Sequence, residues 1–148
     1  MQSIEIHTIG HSNYTWESFS TLLKRHGVQT LVDVRTNPVS RWAPFANRRT
    51  LPGLLEQEAM GYVYMGEALG GKPADPSYYN PDGKPEYARM RSKTFFQDGI
   101  SQLLELARES RTVLMCAEED PSGCHRTLLI GPPLEKHGVT LLHIRKDG

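Results

Sequence analysis

Cys124, His125 and Arg126 stand in a row at the end of the segment Val113 to Arg126, VLMCAEEDPSGCHR, which also holds Cys116, Glu118, Glu119 and Asp120. Val113 to Cys116 reads as a buried strand, and Ala117 to Gly123 as the loop leaving its C-terminal end. Ser122 is placed to cap a helix whose first turn carries Gly123, Cys124, His125 and Arg126. Backbone N–H groups and the helix dipole would then favour an anion there, as a thiolate or a phosphate.

Two readings of Cys124 stand. It is a nucleophile whose thiol is acidified by its neighbours, or a small residue at a helix start. Cys116 ends an apolar run and reads as buried and inert, or as a resolving partner if the loop folds back. The segment is neither the Cys-x5-Arg loop of tyrosine phosphatases nor the usual rhodanese loop; it shares with them only anion-binding N–H groups beside a cysteine. Structural zinc favours paired Cys-x2-Cys or His spacing, which is missing, so no metal site is expected. Glu118 is the best-placed general base or arginine partner, while Glu119 and Asp120 read as solvent-facing. His11, next to Ser12, titrates near neutrality and fits a substrate contact, an acid or base, or a turn residue bonded only to local backbone.

A second group lies between Arg35 and Arg49, where Arg35, Arg41, Arg48 and Arg49 occur with no acid among them. Asp33 and Arg35 bracket Val34, so in a strand they share a face and fit an ion pair. Alternatively, Arg35 and Arg41 grip a carboxylate or phosphate through the forked guanidinium. Trp42, Phe45, Tyr62, Tyr64, Tyr78, Tyr79 and Tyr87 are either packing or a surface for stacking a base.

These groups need elements to position them. Ile4 to Ile9 gives a first strand, running into Gly10-His11-Ser12. A helix capped by Thr15 follows, with Phe19, Leu22, Leu23 and His26 on one face and Gly27 as its stop. Val28 to Val34 is a second strand. Thr50 opens a short helix carrying Leu51, Leu54, Leu55 and Ala59, which ends at Gly61. Tyr62 to Met65 is a third strand, and residues 66–84 read as a long loop. Thr94 and Gln97 form a capping box for the longest helix, with Phe96, Ile100, Leu103, Leu104 and Ala107 as its buried stripe. Val113 to Cys116 is the fourth strand. The helix after it carries Leu128, Leu129 and Leu134, breaks at Pro132-Pro133 and ends at Gly138. Val139 to Ile144 is the fifth strand.

This alternation predicts one α/β domain over residues 1–148: an open, mostly parallel five-stranded sheet with helices on both faces, in a Rossmann-like three-layer arrangement. A chain of 148 residues fits one domain. With 38% hydrophobic and 23% charged residues it has no apolar run long enough for a membrane helix, so no membrane partner is expected. The start has no basic residues and no long apolar stretch, and two cysteines do not make a disulfide framework; both favour free thiols in a reducing cytoplasm. A net charge of zero argues against coating nucleic acid by bulk charge, yet leaves room for a local phosphate pocket. No pattern names a cofactor or an oligomeric state.

In open sheets, ligands bind beyond the C-terminal strand ends. Each unusual motif falls at such an end: Gly10-His11-Ser12, Arg35 to Arg41, Leu69-Gly70-Gly71, and Cys116 to Arg126. Across nearly its whole length the chain resembles the domain-of-unknown-function 488 family. The matching residues are Thr8 to Ser12; Asp33-Val34-Arg35 with Pro38, Ser40, Arg41, Pro44 and Phe45; Leu69-Gly70-Gly71; Cys116-Ala117-Glu118, Asp120-Pro121 and Cys124-His125-Arg126, with Tyr87, Met90 and Phe95. The resemblance implies a small cytosolic prokaryotic α/β protein and no established activity, and only Gly131-Pro132-Pro133 departs from the family's expected helix. The combined reading is a site for a small anionic ligand, phosphate-bearing or nucleotide-like. Ser12, Arg35, Ser40, Arg41, Gly70, Gly71 and Arg126 are its ligand contacts, and Cys124, His125, Glu118 and His11 its candidate catalytic groups. The alternative is a nucleic-acid-binding module without catalysis.

Overall fold

The computed structural model describes residues 4–41, 43–71 and 75–146. Five strands, β1 (Ile4–Gly10), β2 (Thr30–Asp33), β3 (Gly61–Tyr64), β4 (Thr112–Cys116) and β5 (Val139–Ile144), form one sheet in the order β3-β2-β4-β1-β5. Every pairing is parallel. The helices are α1 (Trp16–Arg25), α2 (Leu51–Gln57), α3 (Gly66–Leu69), α4 (Tyr87–Arg91), α5 (Thr94–Glu109), α6 (His125–Leu128) and α7 (Gly131–Lys136). Strands buried on both faces read as continuous apolar runs, as Thr112 to Cys116 does, because alternate side chains enter opposite layers. Val113 and Met115 pack with Phe19 and Leu23 of α1 and Leu51 and Leu55 of α2. Leu114 and Cys116 pack with Phe96, Ile100 and Leu103 of α5 and Leu134 of α7. The open α/β sheet with helices is therefore as expected.

The element boundaries shift where capping differs from expectation. Thr15 caps α1 through a bond from the Ser18 N–H at 3.1 Å, and Gly27 turns the chain at φ 66. Thr50, already in helical conformation, makes no side-chain cap. Helix α2 closes through Ala59 at φ 59, and Gly61 begins β3. The capping box at Thr94 does not form, because Lys93 is the cap residue and Thr94 is already helical; the Gln97 amide donates instead to the Arg91 carbonyl. The segment 66–84 contains α3 and a 3-10 turn at Pro76–Tyr78. The helix breaks at Leu129-Ile130, between α6 and α7, not at Pro132-Pro133; the prolines occupy the first turn of α7, where no N–H is needed.

This order places β4 between β1 and β2, so the loops leaving all three strands meet at one edge. Pairing continues past the strands: His11 N–H donates to the Cys116 carbonyl at 2.9 Å, Ser12 N–H to Ala117 at 2.8 Å and Val34 N–H to Met115 at 3.1 Å. Gly10 permits this approach. A Cβ there would lie 1.6 Å from the Glu118 carbonyl oxygen.

Candidate functional site

A cavity of about 800 Å³ opens over the C-terminal ends of β1, β2 and β4. Its wall includes His11, Ser12, Arg35, Ser40, Arg41, Gly71, Glu118, Cys124 and His125 from the sequence expectation, together with Cys116 and Tyr87.

His11 is buried, and its Nδ1 lies 2.9 Å from the Ser12 carbonyl. A carbonyl only accepts, so Nδ1 carries the proton and Nε2 of the neutral ring is left as a bare acceptor. Nε2 has no partner among the described residues. Burial lowers the His11 pKa, the Arg35 guanidinium lowers it further, and the ring is neutral at neutral pH. Ser12 holds the turn in the left-handed region at φ 43, an uncommon conformation for a residue with a side chain.

Asp33 and Arg35 form the ion pair that their spacing allows. Nε donates to Oδ1 at 2.8 Å and Nη2 to Oδ2 at 2.7 Å, with both residues buried. Nη2 also donates to the Ala46 carbonyl at 2.6 Å, and the Tyr62 hydroxyl to Asp33 Oδ2 at 2.6 Å. Burial, reinforced by that bond, pushes the Tyr62 hydroxyl far above the ordinary phenol range, so it stays a donor. The pair consumes the fork of the guanidinium and leaves Nη1 buried and without a partner among the described residues.

The Cys124 and Cys116 sulfurs are 2.8 Å apart and both are free thiols. His125 Nε2 lies 2.8 Å from the Val34 carbonyl and must donate to it, which leaves Nδ1 facing Cys124 Sγ at 3.7 Å. A hydrogen bond from Cys116, followed by the field of His125, holds the Cys124 thiol well below its ordinary range. The same bond and burial push Cys116 upward. The two shifts are opposite in direction: the shared bond favours a proton on Cys116 and a lower pKa at Cys124. Gly71 sits against this ring, where a Cβ would meet His125 Cβ at 2.6 Å.

Several expectations need correction. Ser122 does not cap a helix. Asp120 caps the 3-10 turn Pro121–Gly123 by accepting from the Ser122 N–H at 2.9 Å and its hydroxyl at 2.8 Å, and Cys124 is the residue before α6. With four residues, α6 has too little aligned backbone for the dipole argument. Arg126 is not among the residues lining the cavity; it is fully buried, with Nη2 donating to the Glu119 carbonyl at 2.9 Å and with Nε and Nη1 unpartnered among the described residues. Gly70 is not on the wall; a Cβ there would meet Thr36 Oγ1 at 2.2 Å, so it serves close packing of α3. Glu119 is not simply solvated, for its carboxylate takes two bonds from Arg145, at 2.7 and 2.9 Å, which lower its pKa.

The stacking surface is also mostly packing. Phe45 is buried against Phe19, with ring centroids 5.0 Å apart, and the Arg48 guanidinium lies over Tyr64 at 4.0 Å. Tyr62 is tied to Asp33, and Tyr87 does reach the cavity, whereas Trp42 lies outside the described residues. Thr36, Asn37 and Asn13, which sequence reasoning missed, also line the cavity. The available signal was their position directly after the strand-end motifs. No group of three or more His, Cys, Asp or Glu among the described residues is placed to hold a metal ion. Among those residues, no helix is long and apolar enough to cross a membrane.

Fold and site define a parallel α/β protein with a cysteine-bearing cavity at its strand ends. The family described as domain of unknown function DUF488 matches residues 15–131, and the chain belongs to it. No curated protein and no solved structure matches the chain.

Proposed function

We propose that the protein is an enzyme that binds a small anionic substrate in this cavity and uses Cys124 as its nucleophile. The observation that carries the reading is the shared wall: Arg35, whose Nη1 is buried and unpartnered among the described residues, lines the same cavity as the Cys124–His125 pair. A guanidinium fixed in place by Asp33 donates to an anionic oxygen with little loss of side-chain entropy. Arg41 stands on the same wall and adds charge, and Ser12 and Ser40 add hydroxyls. His125 holds the thiolate, and His11 Nε2 takes a proton from substrate or water. Glu118, exposed at the rim, is the second base. The nucleic-acid reading has less support, since the aromatic side chains are largely engaged elsewhere and the net charge is zero.

The test is the alkylation rate of Cys124 at neutral pH with and without inorganic phosphate or a nucleoside monophosphate. The reading expects alkylation about tenfold or more faster than that of an ordinary thiol, from its larger thiolate fraction, and slowing by phosphate. An ordinary rate without protection overturns it.

A further inference from the structure

We propose that Cys116 and Cys124 form a dithiol–disulfide couple that reduces small hydroperoxides within the cavity. The inference rests on the reading of Cys124 as nucleophile and adds a partner and a substrate class. Cys116, in the strand, and Cys124, after the loop, are brought sulfur to sulfur at 2.8 Å. Closing to a disulfide bond of about 2.05 Å asks for less than about 1 Å of movement.

The site also restricts the oxidant. Cys124 is 4% exposed and Cys116 1%, and both line the cavity, so a disulfide on another protein cannot reach either sulfur. A hydroperoxide can. Arg35 and His11 line the same cavity and supply a guanidinium donor and an imidazole acceptor to its polar groups.

The chemistry closes on these residues. The Cys124 thiolate attacks the distal peroxide oxygen; an S–O bond forms and the O–O bond breaks. The departing alkoxide takes the proton from His125 Nδ1 and leaves as alcohol. Cys116 then attacks the Cys124 sulfenic acid, an S–S bond replaces the S–O bond, and the hydroxide leaves as water with the Cys116 proton. Two electrons pass from the sulfurs to the peroxide, and a small dithiol restores the reduced pair.

The experiment treats the pre-reduced full chain with one equivalent of hydrogen peroxide, counts free thiols, and reads the intact mass. The expected result is loss of both thiols and of two hydrogens in mass, at least about tenfold faster than free cysteine, as a larger thiolate fraction implies. Cys116→Ser should instead accumulate a Cys124 sulfenic acid trapped by dimedone. Thiol loss at the rate of free cysteine, or a wild-type chain that keeps the dimedone-reactive acid without forming the disulfide, overturns the couple. If Cys124 is nonetheless alkylated rapidly and protected by phosphate, the nucleophile reading survives and only the couple falls.

Discussion

His125 donates from Nε2 to the Val34 carbonyl at 2.8 Å, and this bond decides which ring nitrogen faces Cys124. The end of β2 thereby orients a histidine that belongs to the β4 side of the cavity. Since Nε2 must carry a proton, Nδ1 either accepts from the thiol or, protonated, donates to the thiolate. Replacing His125 removes both options. His125→Ala should move the midpoint of the pH profile of Cys124 alkylation upward by about one unit. The pH dependence of the alkylation rate checks this, and an unchanged profile would remove His125 from the site's chemistry.

Gly71→Ala tests the same orientation without touching a polar group. The new Cβ would lie 2.6–2.7 Å from His125 Cβ and Cγ, so the ring must move. The expected outcome is slower Cys124 alkylation together with a well-folded chain. At Gly10 the clash is with backbone, at 1.6 Å from the Glu118 carbonyl oxygen, and Gly10→Ala should lower the melting temperature markedly. Circular dichroism melts of the two variants should therefore diverge.

The buried Asp33–Arg35 pair is the most costly contact to break in the site. Asp33→Ala strands a guanidinium that is 4% exposed, and breaking such a pair costs about 3–5 kcal/mol. Tyr62→Phe removes one hydrogen bond to the same carboxylate and should cost about 1 kcal/mol. Urea denaturation of the two variants measures the difference.

Stability should also fall on the acid side of neutrality. Burial lowers the pKa of His7, His11 and His143 below the ordinary 6.5. As pH falls through 6.5 the unfolded chain takes up these protons while the folded chain resists them. Stability is thus full above that value and declines from there down through the folded-state pKa values. Melting temperatures across this window should fall less steeply for His7→Asn and His11→Asn than for the wild type. Parallel slopes would contradict the assignment.

Spacing and strand polarity made part of this legible. Asp33 and Arg35 are two apart in a β-branched run, which fixes a shared face, and strand alternation with helices sends each strand-end motif to the same edge. What depends on loop closure was not legible. The loop between Cys116 and Cys124 determines whether the sulfurs meet, and its path is set by the Asp120 cap and by Glu119 held by Arg145. Asp120 and Ser122 are both good capping residues by type. Asp120 prevails because Pro121 directly follows it and pre-sets the first turn. Arg126 was not legible for a related reason: the first turn of a longer helix would aim it at a ligand, whereas in the short α6 it is fully buried.

Cys124 is expected to carry a thiolate beside His125 in the cavity wall. Ultraviolet titration of the reduced protein measures it directly. The account predicts one thiolate per chain already present at neutral pH, below the ordinary thiol pKa of about 8.5, and lost in Cys124→Ser but not merely displaced to higher pH. Absorbance that rises only in the ordinary thiol range, or that persists unchanged in Cys124→Ser, would contradict it.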